Sequence, residues 1–220
     1  MFDILEQTIE WRRWGWNLVT LTFWLTVLFT LIDGWGYRKQ GETIWKNRSA
    51  ESVSAITFFY GACLCWSYAI YAVFVGSIAV LFNGLVLGYC MFPLLRGVIR
   101  FKRLRNTEKV CCALSSLMIP AMLFLPWKGG MFFLFMSVAL VSLAAQPLEI
   151  WRNKNAGDVD IRSMTVFALG VFFWASYGFF VGQSPEASSA EVGLILRIVN
   201  SIAFLLYCSI ILLWFAYKKE

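Results

Sequence analysis

The sequence predicts an all-α membrane protein of seven transmembrane helices, arranged 3+1+3: two parallel repeats of three-helix bundles joined by a linker helix. Three observations lead there. The 220 residues are 60% hydrophobic and only 15% charged, with a mean hydropathy of +0.67. The apolar residues gather in long stretches broken by polar or glycine-rich punctuation. One short motif occurs twice. A soluble domain of this length could not hide so much apolar surface, so the bilayer is its natural solvent.

The elements follow in chain order. Residues 1–13, Met-Phe-Asp-Ile-Leu-Glu-Gln-Thr-Ile-Glu-Trp-Arg-Arg, form an acidic, amphipathic N-terminal segment. They lack the basic start, apolar stretch and small-residue cleavage site of a signal peptide. Apolar spans follow near 14–37, 54–75, 78–99, 110–127, 131–151, 163–182 and 191–216. Each reaches the roughly 20 residues needed to cross about 30 Å of hydrocarbon, the fourth only just. Ser188 to Glu191 reads as a capping box opening the last span. The organisation is then a first repeat over 14–99, a linker helix within 100–130 and a second repeat over 131–217.

Orientation comes from the cations. The segments after spans one, three and five, with the C-terminal tail, carry fifteen of the 19 basic residues. Arg12, Arg13, Lys128 and Arg197 remain for the other side. The excess of Lys and Arg marks the cytoplasmic face, so the N-terminus is expected outside and the C-terminus in the cytoplasm, in a plasma (inner) membrane. No basic face with interleaved polar residues suggests nucleic acid as a partner. The partners expected are the lipid bilayer, a small-molecule substrate and, in principle, a second copy of the chain.

Catalytic and metal chemistry find little purchase. The chain has no histidine, which removes Ser-His and Cys-His catalysis and most zinc sites. Its six cysteines lie inside apolar runs and read as small buried hydrophobes. No nucleotide-binding motif is present, and no nucleophile–base pair is visible. The expectation is no enzyme activity, no cofactor and no metal.

The repeated motif begins at Gln40 and again at Gln146. Aligning Trp45 with Trp151 also pairs Ile44 with Ile150, Asn47 with Asn153, Arg48 with Lys154, Ala50 with Ala156 and Val53 with Val159. Two inserted residues later, Thr57 meets Thr165, Phe59 meets Phe167 and Trp66 meets Trp174. Three crossings reverse the chain, so a direct second copy would stand upside down. A fourth, linking span restores its direction, and the copies become parallel about an axis along the membrane normal. Pro147 removes a helical N–H and introduces a kink, and Gly41 stands as a flexible counterpart.

The pattern of Gln, apolar residues, Lys/Arg, then Arg48-Ser49 and Val53-Ser54 resembles the PQ-loop motif. With its 3+1+3 layout, the chain resembles the SWEET (MtN3/saliva) branch of that transporter superfamily. It departs from the motif in Lys39 ahead of Gln40 and in Ala145 ahead of Gln146. The resemblance implies a uniporter that carries a small neutral sugar by facilitated diffusion and alternating access. It also implies an Asn on the third helix and an aromatic on the second helix of each repeat. Asn83, Asn200, Trp66 and Trp174 occupy those places.

The residues themselves support that reading. Polar side chains at membrane depth usually face a cavity or another helix. Counting from the outer turns puts Asn83, Asn200, Trp66 and Trp174 about 10–15 Å deep, near the midplane. An Asn amide has two donors and a two-lone-pair acceptor, which suits vicinal hydroxyls. An indole face covers the C–H face of a sugar ring. The alternative is that each Asn simply bonds a neighbouring helix and the tryptophans belong to the interfacial belts. Ser54, Tyr68 and Ser176 are further candidates for the pathway. Asp33 and Glu149 admit a second function. A carboxylate away from water could carry a proton, as in cystinosin-like PQ-loop amino-acid carriers, unless both sit at wet helix ends beside Arg38 and Arg152. A third possibility is a receptor or assembly factor on the same scaffold.

Overall fold

The computed structural model describes residues 6–50, 54–154, 161–183 and 185–217. Among these, all regular structure is helical. After a short 3-10 turn at Trp11–Arg13 come α1 (Leu18–Asn47), α2 (Ala55–Val75), α3 (Ile78–Phe101), α4 (Asn106–Ser116), α5 (Met118–Phe124), α6 (Lys128–Asn153), α7 (Ile161–Val181) and α8 (Ala187–Tyr217). Among the described residues, six stretches are long and apolar enough to cross a membrane: α1, α2, α3, α4 with α5, α7 and α8. In α6 the described apolar stretch is shorter, Lys128–Ala144. The fold is thus that of a multi-pass, all-helical membrane protein.

Two elements differ from the sequence reading. First, α1 continues ten residues past the expected end at 37. The charged overhang Arg38–Asn47 stays helical because nothing in it breaks the backbone ladder. Glu42 also pairs with Lys39 at 2.9 Å and with Arg38 at 3.5 Å, the three- and four-residue spacings that support a helix. Second, the expected fourth span is broken at Leu117, where the N–H turns back to Leu114 in the tight three-residue pattern at 3.1 Å. Pro120, two residues into α5, has no N–H to give to Ser116, so the ladder also loses a bond beside the break.

The ends of α1 and α6 share one conformation. Arg48 and Lys154, paired by the motif alignment, follow their helices with φ of 50° and 49°. Left-handed backbone is uncommon for residues other than glycine and is the usual way to stop a helix. Beyond these stops, Val53, Ala156 and Val159 lie outside the described residues, as do the side chains of Gln146, Glu149, Asn153 and Ser188. The expected Ser188 cap is therefore not described. The helix itself starts earlier, at Ala187, and Ser189 donates to the Glu186 carboxylate at 3.2 Å.

The chain forms two compact units, Met1–Arg12 with Thr30–Phe135, and Arg13–Phe29 with Met136–Glu220. In the first, α2 and α3 cross closely at Gly84, where a Cβ would lie 2.5 Å from the Cys65 carbonyl and 2.6 Å from the Ala69 nitrogen. Gly41 plays a related part on α1, since its Cβ would meet the Leu94 nitrogen at 3.0 Å. Small residues bring helix backbones together where lipid supplies no hydrophobic drive. Trp45 then reaches α3, its indole donating to the Pro93 carbonyl at 2.9 Å. In the second unit the close crossing is at the α7–α8 joint, where a Cβ on Gly193 would sit 2.3 Å from Gly182.

The amphipathic N-terminal segment is anchored in the first unit. Gly76, at φ 68°, ends α2, and its carbonyl accepts the Ile9 N–H at 2.9 Å. Glu10 is 3% exposed and caps α3: its carboxylate accepts from the Ser77 hydroxyl at 2.7 Å and from the N–H groups of Ile78 and Ala79 at 2.9 and 3.0 Å. A carboxylate at a helix N-terminus satisfies open N–H groups and meets the positive end of the helix dipole.

Candidate functional site

The site residues divide between the units. Asn83 (α3) and Trp66 (α2) belong to the first; Asn200 (α8) and Trp174 (α7) belong to the second.

Asn83 is buried, 6% exposed, and its amide donates to the Thr30 hydroxyl on α1 at 2.9 Å. That bond ties α3 to α1 and engages one of the two amide hydrogens, leaving the carbonyl and the second N–H as further hydrogen-bonding positions. Asn200 is equally buried, at 7%, and donates to the Leu196 carbonyl one turn earlier in its own helix, at 2.8 Å. Both side chains are thus oriented by a defined bond, one between helices and one within a helix.

Depth can be measured inside each unit from the joint above each Asn. Asn83 lies seven residues after Gly76, where α2 ends. Asn200 lies seven residues after Gly193, the residue in contact with Gly182 at the end of α7. Asn83 therefore stands about 10 Å along α3 from Gly76, and Asn200 about 10 Å along α8 from its crossing with Gly182. The longer Trp174–Asn200 interval in sequence is absorbed by the 182–186 connection and by the turns of α8 before Gly193.

The tryptophans differ more. Trp66 is 43% exposed and lies over Gly88, where a Cβ would come within 3.2 Å of the indole. Trp174 is half-buried and meets Tyr177, one turn along α7, edge to face at 5.9 Å. Of the other candidates, Ser54 is the N-cap of α2; its oxygen accepts the Thr57 N–H at 3.3 Å and the Thr57 hydroxyl at 2.9 Å. Tyr68 stands edge to face with Phe132 at 5.0 Å. Ser176 donates to the Phe172 carbonyl at 2.9 Å and lines a cavity between α7 and α8. Gln40 is exposed on the α1 overhang, and Gly41 and Pro147 are buried.

Asp33 does not pair with Arg38, whose partner is Glu42. One carboxylate oxygen of Asp33 is buried without a hydrogen-bond partner, one turn along α1 from Thr30. Thr30 itself escaped the sequence reading. Its signal was the four-residue spacing of Thr22, Thr26 and Thr30, all buried on one face of α1. Among the described residues no cluster of three metal-ligating side chains occurs. Each unit thus holds one buried neutral amide, and the first also holds the Asp33 carboxylate.

The comparison that bears on these features is structural. A solved eukaryotic SWEET transporter matches the chain with a TM-score of 0.66 over 91% of this chain and 96% of its own, at 14% sequence identity. The fold is SWEET-like. No protein-family model matches the sequence, and no curated relative does. A SWEET-like fold of this coverage includes both helix groups that carry the Asn and Trp residues.

Proposed function

We propose that the protein is a membrane transporter that lets a small neutral sugar cross by facilitated diffusion. Two three-helix repeats, joined 3+1+3 by α4 and α5, would open alternately to either side of a plasma (inner) membrane. The N-terminus would lie outside and the C-terminus in the cytoplasm. The likeness to a SWEET transporter over nearly the whole chain carries this reading. The equal left-handed stops at Arg48 and Lys154 support the repeat. The buried Asn83 in the first unit and the buried Asn200 in the second are the proposed substrate-binding amides, with Trp66 and Trp174 as their aromatic companions. Amide groups bond hydroxyls without charge, and nothing in this arrangement demands an energy source.

Uptake of radiolabelled hexoses into proteoliposomes tests the reading. Saturable uptake that runs down the sugar gradient and ignores a pH gradient is expected. The absence of flux for every hexose would refute it.

Asp33 favours a second reading, a proton-coupled carrier of amino acids, because its buried oxygen has no partner. Under that reading amino-acid uptake would follow an imposed pH gradient and Asp33→Asn would abolish the coupling. Under the sugar reading the same variant leaves hexose uptake indifferent to pH.

A further inference from the structure

Arg197 lies within an apolar helix, ten residues after α8 begins. Cations at such positions are costly and are usually paired. No carboxylate among the described residues pairs with Arg197; its neighbour is the Phe179 ring, 5.9 Å from the guanidinium. Beside it, a groove of about 580 Å³ opens between α7 and α8, wholly inside the second unit.

The lining of the groove is graded. Gly178 faces the backbone of Arg197, so Arg197, Phe179 and Phe180 share the level nearest the α7–α8 joint. Ser176 and Ser201 come next, and Phe172 and Phe204 form the deep end. Charge at the rim over hydroxyls and then aromatic rings is the polarity profile of an amphipathic anion.

The level of the rim can also be placed. Arg13 donates to the Phe180 carbonyl at 3.0 Å. Just after it come Trp14 and Trp16, 51% and 109% exposed, tryptophans of the kind that gather where lipid meets water. A helical side chain points toward its own N-terminus, and a long Arg stem lifts its head toward the interface. The Arg197 guanidinium is thus directed toward the end of the groove where Arg13 meets Phe180, the end that carries the two tryptophans.

We infer that this groove binds an anionic phospholipid, its phosphate on Arg197 and one acyl chain along the aromatic floor. A guanidinium matches a phosphate through two parallel hydrogen bonds. A neutral sugar would leave the charge unanswered, and a free phosphate would leave the apolar floor empty. Ser201 is placed to bond the glycerol or ester oxygens between head group and chain. The inference needs the helices to span lipid but does not depend on what the protein carries.

Native mass spectrometry of the whole purified protein tests it, with phosphatidylglycerol and phosphatidylcholine of identical chains and with glycerol 3-phosphate. The tightest phosphatidylglycerol is expected to bind at least tenfold more strongly than phosphatidylcholine, while glycerol 3-phosphate leaves no adduct. Arg197→Gln removes that tenfold preference, Arg197→Lys keeps part of it, and Arg103→Gln in the basic α3–α4 connection keeps it whole. Equal retention of the two lipids would overturn the inference, as would a preference that survives Arg197→Gln or a glycerol 3-phosphate adduct of similar strength. Should Arg197→Gln fail to fold, Ser201→Trp fills the groove and leaves the cation in place. It is expected to weaken phosphatidylglycerol tenfold, and unchanged binding would be equally fatal.

Discussion

The joint between α2 and α3 is two residues long, Gly76 and Ser77, and the N-terminal segment clasps it through Ile9 and Glu10. The joint between α7 and α8 spans 182–186, and its close contact is glycine on glycine, Gly182 against Gly193. The Asn below the first joint is bonded to another helix through Thr30; the Asn below the second is bonded to its own helix. Each unit thus fixes its Asn by a different construction. The first holds its Asn through tertiary structure, so side chain and bundle stability are coupled. The second holds its Asn locally, so that side chain can be altered with little effect on the fold.

The largest effects are expected at the glycine crossings. Gly193→Ala and Gly84→Ala place a methyl within 2.6 Å of backbone atoms. Each is expected to cost about 3 kcal/mol, the upper end of ordinary overpacking, read as a thermal shift of the detergent-purified protein. Gly36→Ala is the control: nothing lies within 4 Å of the added methyl, and helix propensity favours it by about 0.5–1 kcal/mol. Equal losses at all three positions would dissolve the distinction between crossing and surface.

Next comes the clasp. Glu10→Ala removes three hydrogen bonds to the start of α3. A loss of about 1–2 kcal/mol is expected from the missing cap. A shift near zero would mean that the N-terminal segment does not hold the first joint.

The comparison sharpens at the two Asn. Asn83→Ala breaks a bond between helices, for which about 1 kcal/mol is expected, or roughly 2–4 °C for a chain of this size. Thr30→Val should lower the melting temperature by the same amount, and the double variant should add little, because the two residues share one bond. Asn200→Ala should leave the melting temperature nearly unchanged while lowering sugar uptake tenfold or more, about 1.4 kcal/mol of lost binding. If Asn200→Ala melts the protein as Asn83→Ala does, the two sites are not built differently.

Much of the helical course was legible in advance because hydropathy reports burial in lipid, and each span has to be long. The motif around Trp45 and Trp151 pointed to a repeated segment, and Arg48 and Lys154, which follow α1 and α6, turn out to share a left-handed backbone. The charged overhang of α1 was not legible, since hydropathy cannot tell a solvated helix from a loop; the Lys39–Glu42 and Arg38–Glu42 spacings were the available cue. Pro120 marked the break at Leu117, but an apolar run hides a proline from any average. Glu10 could not be paired with Ser77 from sequence, because the contact joins residues 67 positions apart. Thr30 was visible only as part of a threonine spacing, and Arg197 only as one more cation in a charge count. What stayed hidden in each case was a partner supplied by the tertiary fold.

Alternating access is most directly tested by counterflow. Proteoliposomes loaded with unlabelled hexose are placed in a trace of the labelled sugar. A carrier that reorients with its site occupied is expected to drive a transient accumulation of label above equilibrium, and Asn200→Ala should abolish it. A labelled sugar that never exceeds its equilibrium level, in vesicles where the protein is folded and correctly inserted, would contradict the account.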